Sequence, residues 1–276
     1  MKKVLVTGAG GYIGRHVVKA LLNMGAEVIA TDIYVEEIDE RATKIRADIF
    51  SGATNIYEEL GSPDACLHMA WKDGFIHNSD AHMEMLSKHY EFIKNMVNGG
   101  LKQIAVMGTM HEVGYYEGAI DENTPCNPSS MYGISKDALR RSTLLLLKDK
   151  DVIVQWLRAF YIYGDDKRNH SIFAKLILAD EEGKDCFPFT TGKNKYDFIT
   201  VDELALQLSS CVMQEEVTGI INCCTGKPVS LAEQVEGFIK EKGLHIKLQY
   251  GAYPDREYDS PAVWGNNEKI KKIVHN

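Results

Sequence analysis

Val4-Leu5-Val6-Thr7-Gly8-Ala9-Gly10-Gly11-Tyr12-Ile13-Gly14 is the stretch on which the fold turns. Its apolar opening, residues 4–7, reads as a short buried strand, and residues 12–24 carry apolar side chains at helical spacing. The glycines at Gly8, Gly11 and Gly14 fit G-x-x-G-x-x-G between the two. Such a loop permits a tight turn and lets backbone N–H groups approach a pyrophosphate at a helix N-terminus, with Gly10, Tyr12 and Ile13 completing the cradle. A glycine-rich turn between strand and helix is also a common structural connection, so the loop needs a partner to carry meaning.

Working outward, residues 27–32 form a second strand that ends on Asp32, 18 positions beyond Gly14. A carboxylate there accepts hydrogen bonds from an adenosine ribose and repels a 2′-phosphate, which favours NAD over NADP. Arg15, next to the loop, keeps NADP open. Asp48 and Ile49, after a third strand, are candidates for holding the adenine, and an ordinary acidic loop explains Asp48 as well. Residues 65–69 and 104–107 read as further strands separated by helical segments, and the alternation predicts a parallel sheet covered on both faces. A helix over 132–147 and a buried strand over 152–157 continue it. Beyond Gly164 we expect a polar loop (165–170), a helix (171–180), a turn-rich stretch ending in a strand (183–200), a helix (201–214), a strand (220–223), a helix over 230–242 capped by Ser230, and a tail, 250–264, wrapping the surface.

The chain has 276 residues, and its 45% hydrophobic and 25% charged residues are those of a globular protein with a sizeable core. Lys and Arg number 31 against 39 Asp and Glu, a net charge of −8, and no basic cluster interleaves with aromatics. Nucleic-acid binding is not expected. The six cysteines show no metal-ligand spacing and suit a reducing compartment. No apolar run approaches the roughly 18–20 residues of a membrane span. We therefore expect a soluble cytoplasmic protein that holds no metal.

Tyr132 and Lys136 stand four residues apart, on one face of the predicted helix. Tyrosine is a weak proton donor or base at neutral pH unless something stabilises its phenolate, and a lysine one turn away does so. A pair of this spacing on a surface helix is common by chance. Thr109, just past the strand at 104–107, lies at the carboxyl edge where doubly wound sheets place ligands. Its hydroxyl can hold the oxygen of a carbonyl or alcohol that Tyr132 protonates or deprotonates.

With Thr7 to Gly14, His68-Met69-Ala70, Gly108-Thr109, the segment from Pro125 to Pro128, Tyr132 with Lys136, Leu157-Arg158, Tyr163-Gly164, Asp197-Phe198-Ile199, Val201-Asp202, Asn222 and Thr225-Gly226 in this order, the sequence resembles an extended short-chain dehydrogenase/reductase of the NAD-dependent epimerase/dehydratase family. The resemblance covers nearly the whole chain. It implies an α/β, Rossmann-type doubly wound parallel sheet over residues 1–164 and a small α/β C-terminal substrate lobe over 165–276, partly interleaved with it. It also implies that Thr109 orients the reacting oxygen, Tyr132 is the acid or base, and Lys136 additionally holds the nicotinamide ribose. His68, Met69 and Ala70 would line the cofactor cleft. The expected reaction is hydride transfer at a secondary alcohol or ketone of a nucleotide sugar, either C4 epimerisation or 4-keto reduction, in a homodimer.

Four positions depart from the family pattern. Where dehydratases carry an acidic pair after the threonine, this chain has Met110 and His111, which argues against 4,6-dehydration, although Glu112 follows. His111 suits an acid/base role or an ordinary cleft-edge histidine. Tyr161 and Tyr196 replace an asparagine and an arginine that contact sugar or diphosphate in relatives, which leaves Arg168, Lys193, Lys195 and Arg256 as diphosphate donors. Alternative readings are an oxidoreductase for a non-nucleotide ketone or alcohol, and a dinucleotide-binding redox sensor without catalysis.

Overall fold

From Val4 onward β1 (Lys3–Thr7) is wholly buried, as a strand covered on both faces must be. The computed structural model describes residues 1–164, 171–255 and 259–274. After β1 come α1 (Tyr12–Asn23), β2 (Glu27–Asp32), β3 (Thr43–Arg46), α2 (Ile56–Glu59), β4 (Ala65–His68), α3 (Ala81–Gly99) and β5 (Gln103–Thr109). A 3-10 turn, Met110–Glu112, leads to β6 (Gly118–Ile120), α4 (Met131–Leu147), β7 (Ile153–Ala159) and β8 (Tyr161–Tyr163). The remainder is α5 (Ile172–Glu181), β9 (Cys186–Pro188), β10 (Lys195–Thr200), α6 (Val201–Met213), β11 (Gly219–Cys223), β12 (Pro228–Ser230), α7 (Leu231–Lys242), β13 (Lys247–Gln249), β14 (Ala262–Gly265) and α8 (Glu268–Val274).

Seven strands form one parallel sheet in the order β11-β7-β5-β4-β1-β2-β3. Apolar faces of α1, α6 and α8 cover one side, with Val17, Leu21, Leu204, Leu208 and Ile270 in the core. On the other side Phe92 and Ile93 of α3 and Leu139 of α4 pack over Leu5 and Ile104. The Rossmann-type doubly wound architecture expected from the sequence is present. Strand order reverses between β1 and β4, where Thr7 pairs with His68, and a crevice opens beyond the carboxyl ends of strands at such a switch point.

The second sheet runs β12-β10-β14-β6, with β8 against β10, and a third, two-stranded sheet pairs β13 with β9. The chain crosses between the layers repeatedly: β6 and β8 leave for the second sheet, while α6 and β11 return to the first. Position 164 is thus a landmark in the chain more than a border in space. Ser230 caps α7 in a capping box with Glu233, and Thr200 and Ser130 accept from the first turns of α6 and α4. The tail departs from expectation. Instead of wrapping the surface throughout, it enters the second sheet as β14, between β10 and β6, where Val263 is fully buried. The expected loop at 165–170 lies outside the described residues. No described helix is long and apolar enough to cross a membrane.

Candidate active site

The glycine loop sits on the switch point with no room to spare. Gly8 has φ +70°, and a Cβ there would stand 2.7 Å from the Ala70 nitrogen; at Gly14 one would meet the Gly8 carbonyl at 2.1 Å. Gly11 occupies the N-cap of α1 and no side chain caps it, so the first N–H groups are left for an anion. Asp32 ends β2, and its Oδ2 accepts from the Gly10 N–H at 2.9 Å while Oδ1 accepts from Ile33 at 2.7 Å. Backbone clamps of this kind leave lone pairs free for ribose hydroxyls. The residues present therefore fit a dinucleotide. Arg15 pairs with Glu37 at 3.0 Å and donates to the Gly11 carbonyl at 3.3 Å. Tyr12 donates its hydroxyl to the Gly164 carbonyl, and Ile13 packs on the α1 side of the core. Asp48 is exposed in a turn, accepting from Phe50 at 3.0 Å, and Ile49 is buried beneath it.

His68 lies under the crevice instead of lining it. Its ring is buried between Thr7 and His89, at 2.8 and 2.9 Å, and burial pulls it down to about 3. What faces Gly8 is the backbone of Met69 and Ala70, whose N–H groups both go to Thr7 Oγ1. Met69 itself is a core residue.

Thr109 closes β5 and caps the 3-10 turn, its Oγ1 accepting from the His111 N–H at 3.3 Å. A hydrogen bond from Thr109 lowers the affinity of the Tyr132 oxygen for its proton, against burial, which pushes that phenol above its usual value. One turn along α4, Lys136 is almost fully buried and donates to the Met107 carbonyl at 2.7 Å. Burial pulls it down to about 7 and the charge of Glu112 opposes the shift. Thr109, Tyr132 and Lys136 thus meet at the carboxyl end of β5. Such a set can orient an oxygen by its hydroxyl and exchange a proton through a phenol whose phenolate a nearby cation favours.

Glu112 is no free acid. It is wholly buried, accepting from Trp156 Nε1 at 2.9 Å, from Arg158 Nε at 3.3 Å and from the Thr109 N–H at 2.7 Å. Burial raises its carboxyl, and the charges of Arg158 and Arg140 oppose that shift. It braces the turn that presents Thr109.

Of the substrate candidates, the structure brings three together. His111 lies 6.0 Å from the ring of Tyr161, and Tyr161 lies 4.4 Å from that of Tyr196, so a ladder of rings climbs from Tyr132 into the second sheet. Burial pulls His111 down to about 3 with help from His77, so it is neutral at physiological pH. Lys195 does not join them. It alternates with the buried Tyr196 along β10, is exposed, and lies near Glu233 at the start of α7. Arg256 and Arg168 are outside the described residues.

The sequence reading did not single out His77, in the turn at 71–80. His77 stacks on Tyr132 with ring centroids 5.5 Å apart, its carbonyl accepts from the Tyr132 N–H, and Phe75 approaches Tyr12 at 6.3 Å. A signal was available in composition: five of the nine histidines fall between His68 and His111.

The profile of the NAD dependent epimerase/dehydratase family matches residues 4–224, and the chain belongs to that family. It is an enzyme of the NAD-dependent oxidoreductase and epimerase type. Among particular proteins, it is 44% identical over 267 residues to the dTDP-6-deoxy-L-talose 4-dehydrogenase (NAD(+)) of Aggregatibacter actinomycetemcomitans, across 95% of this chain and 98% of that one. It superposes on MoeE5 in complex with UDP-glucuronic acid and NAD with a TM-score of 0.82 at 25% identity, covering 99% of this chain and 92% of that one. The fold is shared by the UDP-glucose 4-epimerase of Thermotoga maritima, with a TM-score of 0.83 at 20% identity and the same coverage.

Proposed function

We propose that this protein is an NAD-dependent 4-dehydrogenase of a dTDP-linked 6-deoxyhexose, working equally as the 4-keto reductase in reverse. The observation that carries the reaction type is the turn after Thr109. Met110 is buried, His111 is neutral, and Glu112 is locked onto Arg158, so no carboxyl group there is free to expel a hydroxyl as dehydration requires. The 44% identity to a talose 4-dehydrogenase over almost the full length supports the substrate class.

Bound at the glycine loop, NAD supplies the hydride acceptor. Tyr132 takes the proton from the sugar hydroxyl as the C4–H bond is broken, leaving a ketone, and returns it in the reverse direction. Thr109 holds the same oxygen by its hydroxyl, and the Lys136 ammonium stabilises the phenolate while it exists. Asp32 holds the adenosine ribose and selects NAD over NADP. His111, Tyr161 and Tyr196 form the sugar wall.

Incubating the protein with NAD and dTDP-6-deoxy-L-talose should generate NADH in step with 4-keto sugar. A nicotinamide that stays oxidised while a C4 epimer accumulates would replace dehydrogenase by epimerase. Activity on simple ketones without a nucleotide would favour the non-nucleotide reading. We further propose a cytoplasmic homodimer built on α3 and α4, which expose Met83, Met131, Ile134 and Leu145; light scattering that gives a monomer mass would remove it.

A further inference from the structure

Trp71 lies in the turn after β4 and holds two groups against its ring. The Lys136 ammonium stands 3.7 Å from the indole centroid, and the His89 imidazole stacks at 4.3 Å with the planes 18° apart. The indole N–H donates to His82 Nδ1 at 3.0 Å.

The protons of this cluster can be placed by donor and acceptor counting. Thr7 Oγ1 accepts from the N–H groups of Met69 and Ala70, at 3.1 and 3.2 Å, so its own hydrogen goes to His68 Nδ1. His68 then carries its proton on Nε2 and donates to His89 Nδ1 at 2.9 Å, which leaves the His89 proton on Nε2. An indole N–H only donates, so His82 accepts at Nδ1 and gives its Nε2 proton to the Ile76 carbonyl at 2.9 Å. All three imidazoles are neutral in this network. Burial keeps His68 and His89 unprotonated, each with a further push from Lys136. The groups facing Lys136 are therefore Glu112, which attracts it, the neutral Tyr132, His68 and His89, the Met107 carbonyl, and the indole.

We propose that Trp71 is a positioning residue for hydride transfer, its indole face being the seat of the Lys136 ammonium and the neutral set His68, His89 and His82 the brace that holds that seat. The quadrupole of an indole attracts a cation most strongly where water is excluded, so Trp71 and Glu112 both keep the buried lysine charged. The proposal takes from the proposed function only that Lys136 works as an ammonium.

The test uses the whole ligand-free protein with lysine ε-carbons isotopically labelled, the Lys136 signal being the one missing from Lys136→Met. In the wild type its ε-protons should be shifted upfield by the indole ring. Trp71→Leu should lose that shift, and its titration midpoint should fall by about one pH unit, while Trp71→Phe should keep part of both. The alkaline limb of kcat should move the same way in Trp71→Leu, because the ammonium is lost at lower pH. A Trp71→Leu protein with the Lys136 shift and titration unchanged overturns the proposal. Should that variant not fold, an unshifted Lys136 signal in the wild type does the same. Altered titration with an unmoved kcat profile would leave the seat standing and refute instead the role given to Lys136 in catalysis.

Discussion

The crevice has two walls of opposite character. On the side of the seven-stranded sheet every functional side chain is clamped: Asp32 by Gly10 and Ile33, Thr109 by the turn that Glu112 braces, Lys136 by the Met107 carbonyl and the indole of Trp71. On the side of the second sheet, His111, Tyr161 and Tyr196 meet as rings, and Lys195, one of two described cations expected there, lies elsewhere. Chemistry that is the same for every substrate needs groups held to a fraction of an ångström, and strand ends and helix turns supply that. On the proposed function, recognition of a particular sugar falls to surfaces that can be exchanged ring by ring.

The contrast predicts how each wall should fail. The largest effect is expected at Tyr132: Tyr132→Phe removes the proton carrier and should lower kcat about 10²–10⁴-fold with NAD affinity and melting temperature nearly unchanged. Retained turnover would break the division of labour outright. Next, Glu112→Ala leaves Arg158 buried without its partner and should cost about 3–5 kcal/mol in denaturant unfolding. A loss within the range of a surface mutation would show that Glu112 braces nothing.

A crossed pair sharpens the comparison at the level of about tenfold, or ~1.4 kcal/mol. Asp32→Ala should raise the KM for NAD, narrow the preference over NADP, and leave the KM for the sugar alone, whereas Tyr161→Ala should do the reverse. Steady-state kinetics with both cofactors checks each arm. The last test is a slope in pH. Burial keeps His68 and His111, each at about 3, unprotonated to far lower pH than in the unfolded chain, where both titrate near 6.5. Between those values the unfolded state binds more protons, so stability should fall as the pH drops from about 6.5 toward 3. Chemical unfolding at stepped pH should show it, and a His111→Leu variant should have a shallower slope.

The clamped wall was also the legible one. Thr109, Tyr132 and Lys136 could be read because a helix converts a spacing of four into adjacency and a strand end fixes where a loop residue projects. Asp32 was legible for the same reason. The rings His111, Tyr161 and Tyr196 were named as candidates without their contacts, and His77 and His82 were missed, because they sit in or beside a turn without periodicity and meet partners from α4 and the 3-10 turn. Lys195 was misplaced by one step of strand alternation, a matter of facing that a two-residue period cannot settle when both neighbours look plausible. β14 escaped notice because its partners, at 195–196 and 118–120, are distant in sequence and its flanks carry prolines and charges.

The interleaving of the two sheets has a consequence for synthesis. β7 is complete once Ala159 has been added, but one of its edges waits for β11, which is not finished until Cys223. Through that interval a buried-type strand with Trp156 and Leu157 stands with open backbone donors and acceptors, the kind of edge that pairs with the wrong chain. At about 5–20 residues per second the 60-odd residues in between take seconds to emerge. The nascent chain therefore has a window in which the strand that would cover this edge, β11, has yet to be made, and truncations that stop short of residue 223 should be recovered as insoluble protein.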